Sequence, residues 1–218
     1  MTGLAADPVL PERLRDVYWV GGGSGAGKST VARRLADQYG LRRYATDDVM
    51  ADHGRRMARE DSPFLRAFGA MDMDERWISR SPQVMLETFH WFLGEGFGLI
   101  VDDLLRLAGS GPGVIAEGFR LLPRLVRPLL ADPRHAVWLL PAPDFRRAVF
   151  ESRGAPLQFW RRTSDPDLAL RNLLERDRMF TGRLRDEAGR LALPVIEVDV
   201  PVTEDALVRR VADGFGLR

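Results

Sequence analysis

The chain has 218 residues, a formal net charge of +1 and no cysteine. This length suits one α/β domain, and the apolar fraction of 45% is enough for a full core. A net charge near zero gives no polyelectrolyte signal, so nucleic acid is not an expected partner. Disulfides, thiolate nucleophiles and cysteine-bound metals are excluded. With no apolar run of membrane-spanning length and no signal-peptide pattern, we expect a cytoplasmic protein without a membrane partner.

The first elements in the chain surround a glycine-rich stretch. Residues 1–16 are polar and contain proline, and they predict a loosely held lead-in. An apolar, β-prone run at about 17–21 predicts the first strand. Residues 22–30, G-G-S-G-A-G-K-S-T, match the pattern G-x-x-x-x-G-K-[ST], and a helical pattern then runs to about Gly40. Strand, glycine loop and helix form the context in which this motif predicts a nucleotide-binding loop.

The chemistry of the motif depends on its residue types. Glycines let successive backbone N–H groups turn toward a phosphate, and the next helix adds the positive end of its dipole. We expect Lys28 to reach the β- and γ-phosphates of ATP and the Ser29 hydroxyl to bind Mg²⁺. Lys28 is the single lysine among 32 basic residues, which indicates a task that a planar guanidinium cannot perform. The predicted nucleotide-binding residues of the loop are Gly23, Ser24, Gly25, Ala26, Gly27, Lys28, Ser29 and Thr30.

A short second strand at 42–45 is followed by two acids, Asp47 and Asp48. Ligands of an open parallel sheet lie beyond the carboxyl ends of its strands, so these acids should face the same crevice as the glycine loop. Adjacent residues that leave a strand point in opposite directions. We therefore expect Asp47 to act as the base toward an acceptor hydroxyl and Asp48 to cap the next helix. The alternative is that both carboxylates only cap that helix.

Residues 49–109 follow a helical pattern and contain more chain than a crossover between strands requires. We expect one helix over about 48–60, one from Ser81 and Pro82 through Phe92, and one over about 97–108. We interpret the segment as an inserted helical cap on the acceptor side. Its large aromatic residues could stack on a substrate ring, although such residues more often form the core of a cap.

Three further strands are predicted at about 113–118, 136–140 and 194–199. Glu117 ends the first of these, where an acid that completes a magnesium shell or binds acceptor hydroxyls is expected; the alternative is a helix-capping or turn acid. Strands separated by long helices predict a single α/β domain over residues 1–218. The predicted fold is a three-layer αβα sandwich with a five-stranded parallel sheet.

An arginine-rich stretch, residues 146–178, lies between the fourth and fifth strands. It includes most of a long helix from about 166 to 188, which Asp165 should cap, and a last helix follows at about 203–213. We interpret the stretch as a lid whose arginines spread the charge of a transition state. The candidates are Arg153, Arg161, Arg162, Arg171, Arg176 and Arg178.

With the loop, the paired acids and the arginine-rich stretch, the sequence resembles the P-loop kinases of the nucleoside and nucleotide kinase group. Within that group it is similar to shikimate kinase, gluconate kinase and chloramphenicol phosphotransferase. The resemblance is specific at 22–30, suggestive at 46–48 and topological elsewhere. It implies that Asp47 contacts the acceptor hydroxyl, that Arg176 or Arg153 touches the phosphates of ATP, and that Asp199 lies against the adenine. It also implies a lid that closes and excludes water.

The expected activity is transfer of the γ-phosphoryl group of ATP, with Mg²⁺, to a hydroxyl or phosphate of a small-molecule acceptor. The predicted catalytic residues are Lys28, Asp47 and Arg176, and the predicted metal-binding residues are Ser29 and Glu117. The predicted acceptor-binding residues are Asp47, Arg55, Glu117 and Arg120. Two alternatives are a regulatory P-loop ATPase that acts on a protein partner and a zeta-toxin-like kinase of a sugar nucleotide. A monomer and a homodimer are both compatible with the sequence.

Overall fold

The computed structural model describes residues 8–57, 60–109, 111–152, 158–199 and 202–217. Within these ranges five strands pair in parallel, and the second, third, first, fourth and fifth strands of the chain lie side by side in that order. The strands are β1 Val17–Gly22, β2 Arg42–Ala45, β3 Val114–Glu117, β4 Ala136–Pro141 and β5 Val195–Val198. The predicted α/β fold with a five-stranded parallel sheet is therefore confirmed.

Helices connect the strands and cover the sheet. The helices outside the segment between β2 and β3 are α1 Leu10–Arg13, α2 Lys28–Tyr39, α9 Pro123–Val126, α10 Pro143–Ser152, α11 Pro166–Arg190 and α12 Glu204–Phe215. Between β2 and β3 lie α3 Met50–Arg56, α4 Pro63–Ala70, α5 Met73–Trp77, α6 Pro82–Thr88, α7 His90–Leu93 and α8 Phe97–Leu107. No helix in the described ranges is both long and apolar enough to cross a membrane.

Both faces of the sheet are buried. Successive side chains of a strand point to opposite faces, so Trp19 and Val20 of β1 enter different cores. Trp19 packs in a core with residues of α8 and α11, whereas Val20 packs in a core with residues of α2 and α12. This arrangement is consistent with a three-layer sandwich, and it explains why the strands read as almost uninterrupted apolar runs.

The helix predicted from Ser81 through Phe92 begins as expected but is not continuous. The Ser81 side chain accepts a hydrogen bond from the Val84 N–H, and Pro82 occupies the first turn. Phe89 has an extended backbone, with ψ of 109°, and separates α6 from α7. The prediction of one helix through Phe92 is therefore wrong, because a local pattern of apolar spacing continues across a single residue that leaves the helical conformation.

The start of α11 agrees with the sequence prediction, whereas the N-terminal segment differs from it. The long helix α11 starts where it was predicted, with the Asp165 carboxylate accepting from the Leu168 N–H. The loosely held lead-in is wrong for residues 8–16, because α1 forms there and Leu10 and Leu14 are buried in the core. Residues 1–7 lie outside the described ranges.

Candidate functional site

A cavity of about 1140 Å³ lies at the carboxyl edge of the sheet. Its lining includes residues that follow β1, β2, β3 and β4, and this edge is where open parallel sheets bind ligands. One part of the lining, the loop wall, consists of residues 24–30 and Asp47. Another part, the aromatic wall, consists of Phe68, Trp77, Phe89, His90, Trp91, Phe92 and Phe119.

The loop wall ends in the N-terminus of a helix. Gly25 and Gly27 have left-handed backbones, with φ of 83° and 80°, which L-residues with a side chain rarely adopt. This conformation lets the chain turn directly from β1 into α2, which begins at Lys28. Among the described residues no side chain caps this helix. An uncapped helix N-terminus that follows a glycine-rich turn is suited to bind an anion, because its N–H groups and its dipole both favour negative charge.

Lys28 is folded back over the loop. Its side chain is buried, and Nζ donates a hydrogen bond to the carbonyl of Gly23 at 2.8 Å. The ammonium therefore lies beside the same backbone that forms the loop wall. The Lys28 ammonium could therefore interact with an anion bound in the loop without a long movement of the side chain.

Glu117, at the end of β3, lies next to the start of α2. It is 3% exposed, and burial raises the pKa of its carboxyl group. The charge of Lys28 and a hydrogen bond with the Ser29 hydroxyl act in the opposite direction and lower that pKa, whereas the charge of Asp47 raises it. These interactions bring together Lys28, Ser29, Asp47 and Glu117, which the sequence predicted as one constellation.

The two acids after β2 have different environments. Asp47 is exposed and lines the cavity, and the Thr46 hydroxyl donates to its Oδ1 at 3.4 Å. Asp48 lies 3.3 Å from Nη2 of Arg43 and does not line the cavity. The N-cap position of α3 is Val49, with no side-chain cap. Both capping expectations are therefore wrong: Asp48 does not cap α3, and neither acid has a capping role.

Arg176, on α11, lines the cavity and is 6% exposed. Its Nε and Nη2 donate to Oδ1 of Asp177 at 3.0 and 2.7 Å. Its guanidinium carbon lies 5.1, 4.9 and 5.1 Å from the ring centres of Trp77, Phe89 and Phe92 respectively. The predicted catalytic arginine is thus held in the cavity by a carboxylate and three aromatic rings.

Arg146, which lies against the glycine loop but is not part of the cavity lining, is a residue that the sequence did not single out. It is 2% exposed, and its Nη2 hydrogen-bonds to the Thr181 hydroxyl. A Cβ atom on Gly23 would lie 3.3 Å from the same Nη2, so the guanidinium packs against the glycine loop. Burial lowers its pKa, and the charge of Asp177 opposes that effect. The sequence contains one signal, which is that Arg146 lies on the apolar side of α10, four residues before the buried Phe150.

Several predicted site residues do not reach the cavity lining. Arg55 is exposed and lies 3.4 Å from Asp52. Arg120 is buried behind the wall: it donates to the carbonyls of Thr46 and Gly96 at 3.3 and 3.4 Å, and burial lowers its pKa to about 10. Exposed residues that are not part of the lining are Arg161, Arg162, Arg171, Arg178 and Asp199. The predicted nucleotide-binding residue Arg153 lies outside the described residues.

The oxygen ligands near the loop wall suit Mg²⁺ bound together with a phosphate. Magnesium prefers oxygen ligands and keeps several waters, and it is usually held by one or two protein oxygens plus substrate phosphates. The Ser29 hydroxyl and the Glu117 carboxylate, which are joined by a hydrogen bond, fit that requirement. Within the described ranges no group of three or more His, Cys, Asp or Glu residues could hold a metal ion on its own.

Comparisons with known proteins add little to this geometry. No family model matches the chain, and no curated protein matches it. One similar solved structure is that of an uncharacterized protein from Eubacterium ventriosum, with 16% sequence identity and a TM-score of 0.46. The match covers 93% of this chain and 98% of that protein.

Proposed function

We propose that the protein transfers the γ-phosphoryl group of ATP to a hydroxyl of a small molecule that binds in the same cavity. The observation that carries this proposal is the convergence of Lys28, Ser29, Asp47 and Glu117 beside one uncapped helix N-terminus. These residues come from three separate segments of the chain. The cavity volume of about 1140 Å³ is above the ~300–1,000 Å³ that is typical of pockets for one ligand. This volume supports the simultaneous binding of a nucleotide and an acceptor.

The loop wall supplies the phosphate-binding part of the mechanism. The N–H groups of the loop and of the first turn of α2 would donate to phosphate oxygens. Lys28 would exchange the Gly23 carbonyl for a phosphate oxygen, and Arg146 would add a second fixed charge beside the loop. Ser29 and Glu117 would hold Mg²⁺, which in this chemistry neutralises charge on the β- and γ-phosphates.

Asp47 would act as the general base. Its exposed carboxylate accepts a proton from the acceptor hydroxyl as that oxygen forms a bond to the γ-phosphorus, and the bond between that phosphorus and the oxygen bridging to the β-phosphate breaks. Arg176 would spread the charge on the transferred group, since Asp177 and the aromatic rings fix its direction. The apolar lining would limit attack by water.

A pair of variants tests the role of Asp47. We expect Asp47→Asn to keep ATP affinity and to lower acceptor-dependent turnover by roughly 10²–10⁴-fold, the usual contribution of a general base. Asp48→Asn is the matched control, because the neighbouring acid lies beside Arg43 and does not line the cavity. ATP affinity and ADP release would be measured for both variants. Equal turnover in the two variants would remove Asp47 from the proposed role.

A further inference from the structure

We propose that the acceptor carries a planar aromatic ring and an anionic group. This inference rests on the proposed function and specifies the class of molecule that binds against the aromatic wall. It is carried by the arrangement of rings in the wall, by the fixed positive charge around them and by a buried histidine nitrogen that has no partner.

The aromatic wall forms one connected set of rings. The centre of the Phe68 ring lies 5.9 Å from Trp77, 5.4 Å from Phe89 and 5.1 Å from His90. His90 in turn lies 4.5 Å from Trp91. These spacings are those at which aromatic rings attract each other through edge-to-face and offset contacts. A wall of this kind accepts a further flat ring at the same spacings, and such a ring gains the attraction between aromatic rings in addition to its buried area.

The wall lines open space rather than only packing on itself. Phe68 is half-buried, and its helix α4 has no buried residue. Trp77, His90, Trp91 and Phe92 are buried, so the open part of the wall is the part that Phe68 and α4 form. Small-molecule sites are usually lined in this way by aromatic and apolar side chains. The apolar walls provide contact area, and a few polar groups fix the orientation of the ligand.

Two guanidinium groups lie against these rings, and that of Arg76 has no carboxylate partner among the described residues. The Arg176 guanidinium lies over three of them, and the Arg76 guanidinium carbon lies 4.8 Å from the centre of Phe68. Arg176 is paired with Asp177. Arg76 donates to the carbonyls of Phe68 and Gly69, and no carboxylate of the described residues pairs with it. The ring faces already attract two cations, so a cationic acceptor is disfavoured and an anionic group is favoured.

His90 adds a polar group that lacks a partner. It lines the cavity and is 2% exposed, and its Nδ1 has no hydrogen-bond partner in the described part of the chain. Burial and the charges of Arg120 and Arg76 lower its pKa to about 4, so the imidazole is neutral at pH 7. A buried nitrogen without a partner costs free energy unless a ligand or a water satisfies it. A polar substituent on a bound ring could supply that hydrogen bond.

Three small probes of similar size test the proposal. They are 4-(hydroxymethyl)benzoate, trans-4-(hydroxymethyl)cyclohexanecarboxylate and 4-(aminomethyl)benzyl alcohol, which differ in planarity or in charge. Binding would be followed by ¹H NMR titration of the full chain with a non-hydrolysable ATP analogue and Mg²⁺. We expect the benzoate to bind roughly two- to twelvefold more tightly than the cyclohexane compound, since ring pairing contributes about 0.5–1.5 kcal/mol. We expect the amine to bind more weakly than the benzoate.

Two variants in α4 test whether the preference for the planar probe arises at the aromatic wall. Phe68→Leu removes a ring from the wall, whereas Phe64→Leu makes the same change at a residue that is 41% exposed and does not line the cavity. The first should lose most of the preference for the planar probe, and the second should keep it. Equal binding of the planar and saturated probes, binding of the amine as tight as that of the benzoate, or equal behaviour of the two variants would each overturn the proposal.

The same experiment separates this inference from the proposed function. Binding of the ATP analogue, with no preference among the probes, would overturn the acceptor class and leave the phosphotransferase intact. Preference for the planar probe without any binding of the ATP analogue would overturn the phosphotransferase, and the aromatic anion would then be the ligand of a different activity.

Discussion

Lys28 directly follows the glycine loop, and its side chain packs back against that loop. The side chain is 8% exposed, and its Nζ donates to the Gly23 carbonyl at 2.8 Å. We expect Lys28→Arg to lower ATP turnover by at least roughly 10²-fold, comparable with the loss of one preorganised donor in an active site. A planar guanidinium is wider than an ammonium and cannot take the same position beside the backbone. The measurement is ADP release under saturating ATP.

Arg33→Lys provides the control for this change, because Arg33 is exposed on the same helix and the exchange runs in the opposite direction. It should leave turnover unchanged. Full activity of Lys28→Arg would show that the single lysine of the chain has no special task.

The buried imidazole of His90 predicts a pH dependence of stability. Its pKa is lowered from 6.5 to about 4, so at pH between these values the unfolded state binds a proton that the folded state does not. The free energy of unfolding should therefore decrease as the pH falls from 6.5 toward 4, with a slope from this group of about 1.4 kcal/mol per pH unit. His90→Gln should remove that part of the slope. Chemical denaturation at pH 7 and pH 5 tests this, and an unchanged slope in the variant would contradict it.

Among the secondary-structure elements, α4 is held by hydrogen bonds from other segments at both of its ends. The Glu95 carboxylate accepts from the N–H groups of Phe64 and Leu65 at 2.9 and 2.8 Å, and Arg76 donates to the carbonyls of Phe68 and Gly69 at the other end. Because α4 has no buried residue, these contacts replace the apolar anchoring that most helices have. They keep Phe68 at the cavity.

We expect Glu95→Ala to loosen α4 without unfolding the domain. Hydrogen bonds to a charged group contribute about 1.5–3 kcal/mol each, and less where solvent reaches them. Amide exchange in α4 should accelerate while the melting temperature changes little, as measured by hydrogen–deuterium exchange and calorimetry. Glu87→Ala, at an exposed residue of α6, is the control. The same exchange rates in both variants would show that Glu95 does not hold α4.

The elements that could be predicted are those with a strong local signal. The apolar strands and the Asp165 cap of α11 were predicted close to their observed positions, and so was the loop from β1 to Lys28. The break at Phe89 could not be predicted, because one extended residue changes no apolar spacing. Arg146 was missed for a related reason: in a chain with 31 arginines, composition does not distinguish the one that packing buries beside the loop. The roles of Arg55 and Arg120 depended on tertiary position, which sequence spacing does not supply.

At the scale of the whole molecule, the strand order explains why the site forms where it does. β1 lies between β3 and β4, so the loop that follows it lies next to Glu117 and close to α10. β2 pairs with β3 through Ala45 and Glu117, and this register brings the residues after β2 to the same edge. The segment between β2 and β3 then lines the rest of the cavity. One cavity therefore contains both a loop suited to phosphates and a separate aromatic wall.

In the proposed reaction the phosphoryl group passes to an acceptor and not to water. The most direct measurement is ³¹P NMR of a reaction of the full chain with ATP, Mg²⁺ and pooled small-molecule alcohols. We expect a new phosphate ester in the same amount as the ADP formed, with the ester absent for Lys28→Arg. ADP accompanied by an equal amount of inorganic phosphate, with every pool of acceptors, would show that the protein is an ATPase and not a phosphotransferase.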